Sequence, residues 1–492
     1  MKPFYITTTL PYVNASPHIG HALEFIRADI IARSKKIAGH DVFFNTGTDE
    51  HGIKVYQKAK QLGIEPQTYV DQSSVKFKEI IPLLGLAANE PGIIFNFIRT
   101  TDSQHVKAAQ DFWKLVDKNG FIYKKNYSVK YCVGCELEKT DSELVDGHCP
   151  IHPQLEIETI KEENYFFKFS AFQKPLAELY EKNPALVVPD FRFNEIKAFV
   201  GRGLDDFSIS RLTNKMPWGI PVPGDENQVM YVWFDALVNY ISAIGWLDDQ
   251  KSFKKWWIES GGVVQYCGKD NLRQQSAMWQ SMLMAAGLPP SKTIVIDGFI
   301  TGEGGVKMSK SLGNTVDPFD LVKGYGTDAL RYWAARELSP FEDSPFTPEK
   351  FKEAYNAGLA NGIGNLTSRI LKLTNDYGIK AVLSAKEDVW NDETNQAFLR
   401  AFENFNIQEA CNEVWKRIAA IDRAMQDHQP FKLLKSTDTN QVDQGRQIMS
   451  RLQGELWFIA VLLEPILPET ALTIQNLVKE NRMPEKPLFM RK

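Results

Sequence analysis

The 492-residue chain has no run of roughly 18 consecutive apolar residues, so no membrane-spanning helix is expected. The opening Met1-Lys2-Pro3-Phe4-Tyr5-Ile6-Thr7 lacks the charged, apolar and small-residue layout of a secretory signal. It also lacks the Arg/Ser richness of a transit peptide, and the expected location is cytoplasmic. Cysteine is scarce and odd in number, five in all, which argues against a disulfide framework and for a reducing compartment. Positive charge is not in excess: 57 Lys and Arg stand against 61 Asp and Glu, a net charge of −4. That balance excludes a generally basic nucleic-acid binder. It leaves open one that gathers its cations on one face, because affinity for phosphate follows local charge. No internal repeat or low-complexity tract is present. No Walker A string exists either: the sole Gly-Lys pair, Gly268-Lys269, is followed by Asp270. With no G-x-G-x-x-G after the first strand, P-loop and dinucleotide-binding readings are both disfavoured.

What is present is ordinary in bulk, 43% hydrophobic and 24% charged, and long enough for about three domains. Residues 4–9 alternate as a buried strand, Ala22-Leu23, Phe25-Ile26 and Ile30-Ile31 recur at helical spacing, and Asp41–Asn45 reads as a second strand. Strand, helix, strand at this spacing predicts a βαβ unit and a parallel, Rossmann-like sheet, whose ligands bind beyond the carboxyl ends of its strands. The rhythm breaks over 117–225, where cysteines, short strands and Pro/Gly turns predict an insertion. Strand-like 263–267 and 293–296 restore it over 226–298, and a glycine-rich linking segment occupies 299–345. From 346 to 492 apolar residues recur at three- and four-residue steps, as in Leu359, Ile363, Leu366, Ile370 and in Leu452, Leu456, Ile459, Leu463. That predicts an all-α bundle whose last long helix ends near Pro465 and Pro468. The expected fold is therefore α/β, a parallel sheet in residues 1–116 and 226–298 split by the insertion, followed by helices.

Several constellations carry chemistry. His18-Ile19-Gly20-His21 sits between the first strand and the first helix, where backbone N–H groups and the helix dipole attract phosphate. Gly20 would let a base or ribose lie against the backbone. Two histidines three apart are, taken alone, more often capping or surface residues. Lys307-Met308-Ser309-Lys310-Ser311 follows Gly302, Gly304 and Gly305. A glycine-flanked loop with two lysines can close on a triphosphate, whereas the bland alternative is a solvated basic loop. Asp49, in Thr46-Gly47-Thr48-Asp49-Glu50-His51-Gly52, ends the second strand and is suited to bind an ammonium or to cap a helix. Tyr231–Leu237 and Tyr240 form an aromatic cluster that reads as core or as the wall of a thioether pocket. Cys132-x2-Cys135 and, thirteen residues on, Cys149-x2-His152 have the spacing of a tetrahedral Cys₃His zinc site, with His148 as a competing ligand. Asn365 and Arg369, four apart, share one helix face, which is most often merely solvated.

The histidine motif near the start, paired with the downstream lysine loop, resembles the signature of class I aminoacyl-tRNA synthetases. The Asp49 string and the Trp233 cluster resemble the methionine-specific branch. This resemblance runs from about residue 4 to 465. It implies ATP binding by His18, Gly20, His21, Lys307, Ser309 and Lys310, with His18, His21, Lys307 and Lys310 stabilising the transition state. It implies a methionine pocket of Leu10, Tyr12, Asp49, Trp233, Ala236, Tyr240 and Gln275. Leu237 stands where bacterial relatives often have proline. Gln275 stands where many have a histidine, and retains hydrogen-bonding ability. The resemblance further implies one structural zinc in the insertion, Mg²⁺ accompanying ATP, and anticodon reading by Asn365, Arg369 and Phe431, the last in place of a usual tryptophan. The implied partners are L-methionine, ATP and tRNA(Met), including initiator tRNA. No appended module follows the bundle, so a monomer is expected. Leucine, valine and isoleucine enzymes usually carry a larger insertion, and a cysteine enzyme would hold zinc in its active site. A non-catalytic RNA-binding relative would not need the ATP apparatus, and a nucleotidyltransferase would not need the helical domain.

Overall fold

The computed structural model describes residues 1–135, 137–139, 141–305 and 316–492. β1 (Pro3–Thr8), α1 (Ile19–Ile37) and β2 (Asp41–Thr48) form the expected βαβ unit. α2 (Ile53–Leu62), α3 (Pro66–Leu83) and β3 (Ile93–Arg99) follow, and α4 (Ser103–Lys118) leads into the insertion. There β4 (Ile122–Cys132), β5 (Leu137–Lys139) and β6 (Glu158–Phe167) precede α5 (Gln173–Lys182), β7 (Val187–Val188), α6 (Asp190–Gly201) and β8 (Phe207–Ser208). A small antiparallel sheet of β9 (Ser210–Leu212), β10 (Pro221–Val222) and β11 (Asp225–Met230) comes before α7 (Val232–Leu237) and α8 (Asn239–Ser242). β12 (Val263–Gly268) and β13 (Thr293–Asp297) complete the sheets that matter here.

The central sheet has the order β3-β2-β1-β12-β13-β7, and its pairs are parallel. β1 is buried at every position, as a strand covered on both faces must be. Strand order reverses between β1 and β12, so the loops leaving their carboxyl ends diverge and open a crevice. β2 approaches β3 closely at Gly47, where a Cβ would overlap the Ile98 carbonyl. The insertion folds as the antiparallel sheet β5-β4-β6-β8. Within the stretch read as an insertion, however, Val187 and Val188 pair with Ile294 and Val295 of the central sheet. A two-residue strand has no periodicity to read.

Beyond Pro348 the chain is helical, and the stripes Leu359, Ile363, Leu366, Ile370 and Leu452, Leu456, Ile459, Leu463 are buried. The first stripe is not one regular helix. Residues Tyr355–Gly364 wind as a wider π turn broken at Gly362, and within it Gly358 lies where a Cβ would overlap the Tyr332 hydroxyl. Pro468 opens a further helix, Pro468–Glu480, after Thr439–Leu462 has ended.

α1 holds these parts together through buried charge. Arg27 pairs with Asp297 at the end of β13 and donates to the carbonyls of Ala334 (3.0 Å) and Ser339 (3.0 Å). Asp29 accepts from Ala87 N (2.7 Å) and pairs with Arg331 (2.8 Å). Arg331, itself fully buried, donates to Pro465 O (3.0 Å), Ile466 O (2.9 Å) and Leu84 O (3.1 Å). Arg33 also pairs with Asp29 (2.9 Å), so removing Arg331 leaves that carboxylate one counter-charge but orphans three buried carbonyls, at a loss of about 3 kcal/mol. Arg331→Met should therefore lower the urea midpoint clearly, and Arg331→Lys should recover little, because an ammonium cannot fork to three carbonyls and a carboxylate.

Candidate active site

One side of the crevice is built at the start of α1. His18 is the N-cap: its Nδ1 accepts from Gly20 N at 3.1 Å, while His18 N donates to His21 Nδ1 at 3.3 Å. The rings stack with centroids 3.8 Å apart, and Phe77 meets His21 edge-on. The capping role and the binding role are thus compatible. With each Nδ1 accepting, the neutral tautomer carries its proton on Nε2, a donor suited to phosphate oxygen. A side chain at Gly20 would press on the His18 ring, so the residue must stay small.

One turn on, Glu24 accepts from Thr9 N (2.6 Å) and Thr9 Oγ1 (2.5 Å). Its side chain is half-buried, and desolvation pushes its carboxyl up to about 8, against the Thr9 hydrogen bonds and helped by the like charges of Asp297 and Asp270. Burial likewise pushes Asp297 up to about 6 despite Arg27. The lysine-loop residues Lys307, Ser309 and Lys310 lie outside the described residues. Their flanks are anchored: Ile300 and Thr301 pair with Ser344 and Pro345, and Asp343 accepts from Phe299 N (3.0 Å) and pairs with Lys269 (2.6 Å).

The other side of the crevice is built from the turn after β1, the end of β2, and α7 and α8. Tyr12 bridges to Asp49, with Asp49 N donating to Pro11 O (2.9 Å) and Val13 N to Asp49 O (3.1 Å). The Leu10-Pro11-Tyr12 turn and the end of β2 therefore move as one. Asp49 is not a helix cap, since α2 is capped by Gly52 without a side-chain bond. α7 and α8 supply half-buried Trp233 and buried Ala236 and Tyr240. Trp233 Nε1 has no hydrogen-bond partner among the described residues. Gln275 donates to Tyr240 Oη at 2.8 Å and accepts from Gln265, whose Oε1 accepts from Ser291 Oγ at 2.6 Å. The glutamine thus orients the tyrosine through an amide network, a role its sequence position could not reveal.

A family model described as tRNA synthetases class I (M) matches residues 4–158 and 153–371. The methionine–tRNA ligase of Thermotoga maritima is 38% identical over 98% of this chain and 76% of its own length. That of Rhizobium meliloti is 39% identical over 97% and 92%. A structure of Mycobacterium tuberculosis methionyl-tRNA synthetase in complex with methionyl-adenylate superposes with a TM-score of 0.88 at 34% identity, covering 97% of this chain and 94% of that one. Its free form gives 0.82 at 30% identity, over 100% and 98%. The chain belongs to the class I methionyl-tRNA synthetases.

In this synthetase the ligand atoms of Cys132, Cys135, Cys149 and His152 lie within 4.8 Å of one another, as a single tetrahedral ion requires. Cys135 Sγ is 3.5 Å from Cys149 Sγ and 3.3 Å from His152 Nδ1. His148 is not in the cluster; it pairs with Val145 in a short bridge. Gly134 must be glycine, because a Cβ would overlap the His152 ring. In the bundle, exposed Asn365 begins helix Asn365–Asp376, and Arg369 pairs with Asp422 (2.6 Å) on helix Ile407–His428. That helix ends at left-handed Gln429, after which half-buried Phe431 lies in Pro430–Leu433.

Sequence reading missed Glu24, Arg27, Asp297, His51 and Asp235. Only Glu24 carried a signal, its three-residue step from His21. Between pH about 4.5 and about 8 the folded synthetase keeps a proton on Glu24 that the unfolded chain releases, so this group's contribution to stability falls as pH rises. Glu24→Gln removes that slope. The melting temperature of the wild type relative to the variant should drop between pH 5 and 8, whereas a constant difference would mean that Glu24 is ionised throughout.

Proposed function

We propose that this synthetase joins L-methionine to tRNA(Met), initiator tRNA included, in two steps at the crevice beyond β1 and β12. The observation that carries the reading is the placement of two unlike groups at one sheet edge: the capped His18/His21 pair at the start of α1, and Asp49 at the end of β2, bridged to the Tyr12 turn. Asp49 binds the ammonium of methionine, while Leu10, Tyr12, Trp233, Ala236 and Tyr240 enclose its thioether, which asks for contact rather than hydrogen bonds. Gln275 holds Tyr240 in place. The carboxylate of methionine attacks the α-phosphate of ATP, giving methionyl-adenylate and pyrophosphate. The terminal ribose hydroxyl of tRNA then takes the acyl group and releases AMP.

His18 and His21 hold phosphate and ribose against the backbone at Gly20. Lys307, Ser309 and Lys310 bind the departing pyrophosphate, and no covalent enzyme intermediate is required. Catalysis is positioning plus charge stabilisation. ATP brings Mg²⁺ as its counter-ion. Cys132, Cys135, Cys149 and His152 would hold zinc; four protein ligands leave no open position, so the ion closes the insertion and takes no part in chemistry. Asn365, Arg369 and Phe431 read the anticodon, with the ring stacking on a splayed base. One chain supplies every group named, and a cytoplasmic monomer is the working unit we favour. The domain limits we adopt are those of the sequence, 1–116, 117–225, 226–298, 299–345 and 346–492, with β7 of the second contributed to the central sheet.

Amino-acid-dependent pyrophosphate–ATP exchange tests this reading. Methionine alone among the twenty should drive it, and Lys310→Ala should lower the rate by about two to three orders of magnitude. Exchange driven by another amino acid would overturn the specificity, and no exchange from folded protein would overturn the activity. Elemental analysis should find one zinc per chain, and Cys149→Ser should lose it and unfold the insertion first.

A further inference from the structure

One enclosed carboxylate joins the two halves of the amino-acid pocket. Asp235 lies on α7 between Trp233 and Ala236 and is fully buried. Its Oδ2 is 2.9 Å from Nδ1 of His51, two residues beyond Asp49. Its Oδ1 is 3.2 Å from Nε2 of His105 on α4, and His105 Nδ1 is 2.9 Å from Ser242 Oγ on α8. Both imidazoles are buried as well. The Asp49 loop is already fixed to the sheet, since Glu50 accepts from Thr48 Oγ1 (2.7 Å) and Arg99 Nε (2.8 Å). α8 is held to β2 by Asn45 donating to Asn239 at 3.1 Å. The His51–Asp235 contact completes this frame at the level of the pocket itself.

A buried charged cluster is a weak device for stability, because apolar residues of similar volume usually serve as well. Desolvation opposes the charge on Asp235, but the His51 charge and the two imidazole contacts hold its carboxyl below the usual range. What such a cluster supplies is fixed geometry. A pocket can reject one extra methylene by roughly 10- to 200-fold only if its far wall cannot retreat from the group that anchors the ligand.

We propose that Asp235 is a positioning residue that, through His51 and His105, fixes the distance between the Asp49 carboxylate and the Trp233/Tyr240 wall, and so sets the side-chain length this synthetase activates. The inference rests on the methionine-pocket reading above.

The test is pyrophosphate exchange with methionine and with its S-ethyl homologue, using Asp235→Asn, His51→Asn and His51→Leu. Asp235→Asn keeps the shape but loses the charge that holds two imidazoles. It should raise KM for methionine about tenfold, leave KM for ATP within about twofold and kcat within about threefold, and narrow the methionine-to-ethyl preference several-fold. His51→Asn places an amide N–H near the position of Nδ1 and should retain most of the preference, whereas His51→Leu should lose it. The His51 pair gives the same reading if Asp235→Asn does not fold. An unchanged preference in Asp235→Asn, a parallel rise in KM for ATP, or equal behaviour of the two His51 variants would overturn the proposal. A wild type that exchanges with no amino acid would instead overturn the pocket reading on which it rests.

Discussion

The structure depends on one constraint: α1 carries charge through the middle of the core and every charge must find its partner there. Arg27 and Asp29 are buried, on opposite sides of a helix whose neighbours are otherwise apolar. Unpaired, either would be strongly destabilising. Arg33 meets Asp29 from the next turn of the same helix, and the other partners come from distant parts of the chain: Asp297 from the last strand of the crevice, Ala334 and Ser339 from the segment after the lysine loop, and Arg331 from the helix packed on the bundle. Satisfying α1 therefore fixes where the sheet, the lysine-loop flanks and the bundle stand relative to the helix that begins with His18. A catalytic apparatus drawn from both ends of the α/β region needs a common reference of this kind.

The same economy runs through the crevice. The His18 and His21 rings finish a helix end, and in doing so settle the tautomer that presents Nε2–H. The bridge from Tyr12 to Asp49 binds two pocket segments into one. The Gln275 amide network turns a residue in a distorted helical turn into support for Tyr240. In each case a polar group that burial would penalise is satisfied by the element it helps to place.

Local patterns were readable and long-range pairings were not. The alternating first strand, the helical stripes and the C-x2-C and C-x2-H spacings are properties of short windows, and the structure gathers the residues they mark. The two residues of β7 offer no period, and glycines 358 and 362 hide a break inside an apparently regular stripe. His51 and Asp235 stand 184 positions apart, so neither suggests the other. The C-x2-H spacing already favoured His152 over His148, and the structure gathers His152 with the three cysteines. The lysine loop was legible as a motif, but its residues lie outside those described.

The central claim is that one crevice, at the reversal between β1 and β12, holds both substrates in a single orientation. A crystal structure with a non-hydrolysable methionyl-adenylate analogue tests it most directly. The account predicts the ammonium on Asp49, the thioether against Trp233 and Tyr240, and the ribose and phosphate mimic beside His18, Gly20 and His21. An ammonium bound instead by Glu24 or Asp297, or a thioether lodged away from α7 and α8, would contradict it.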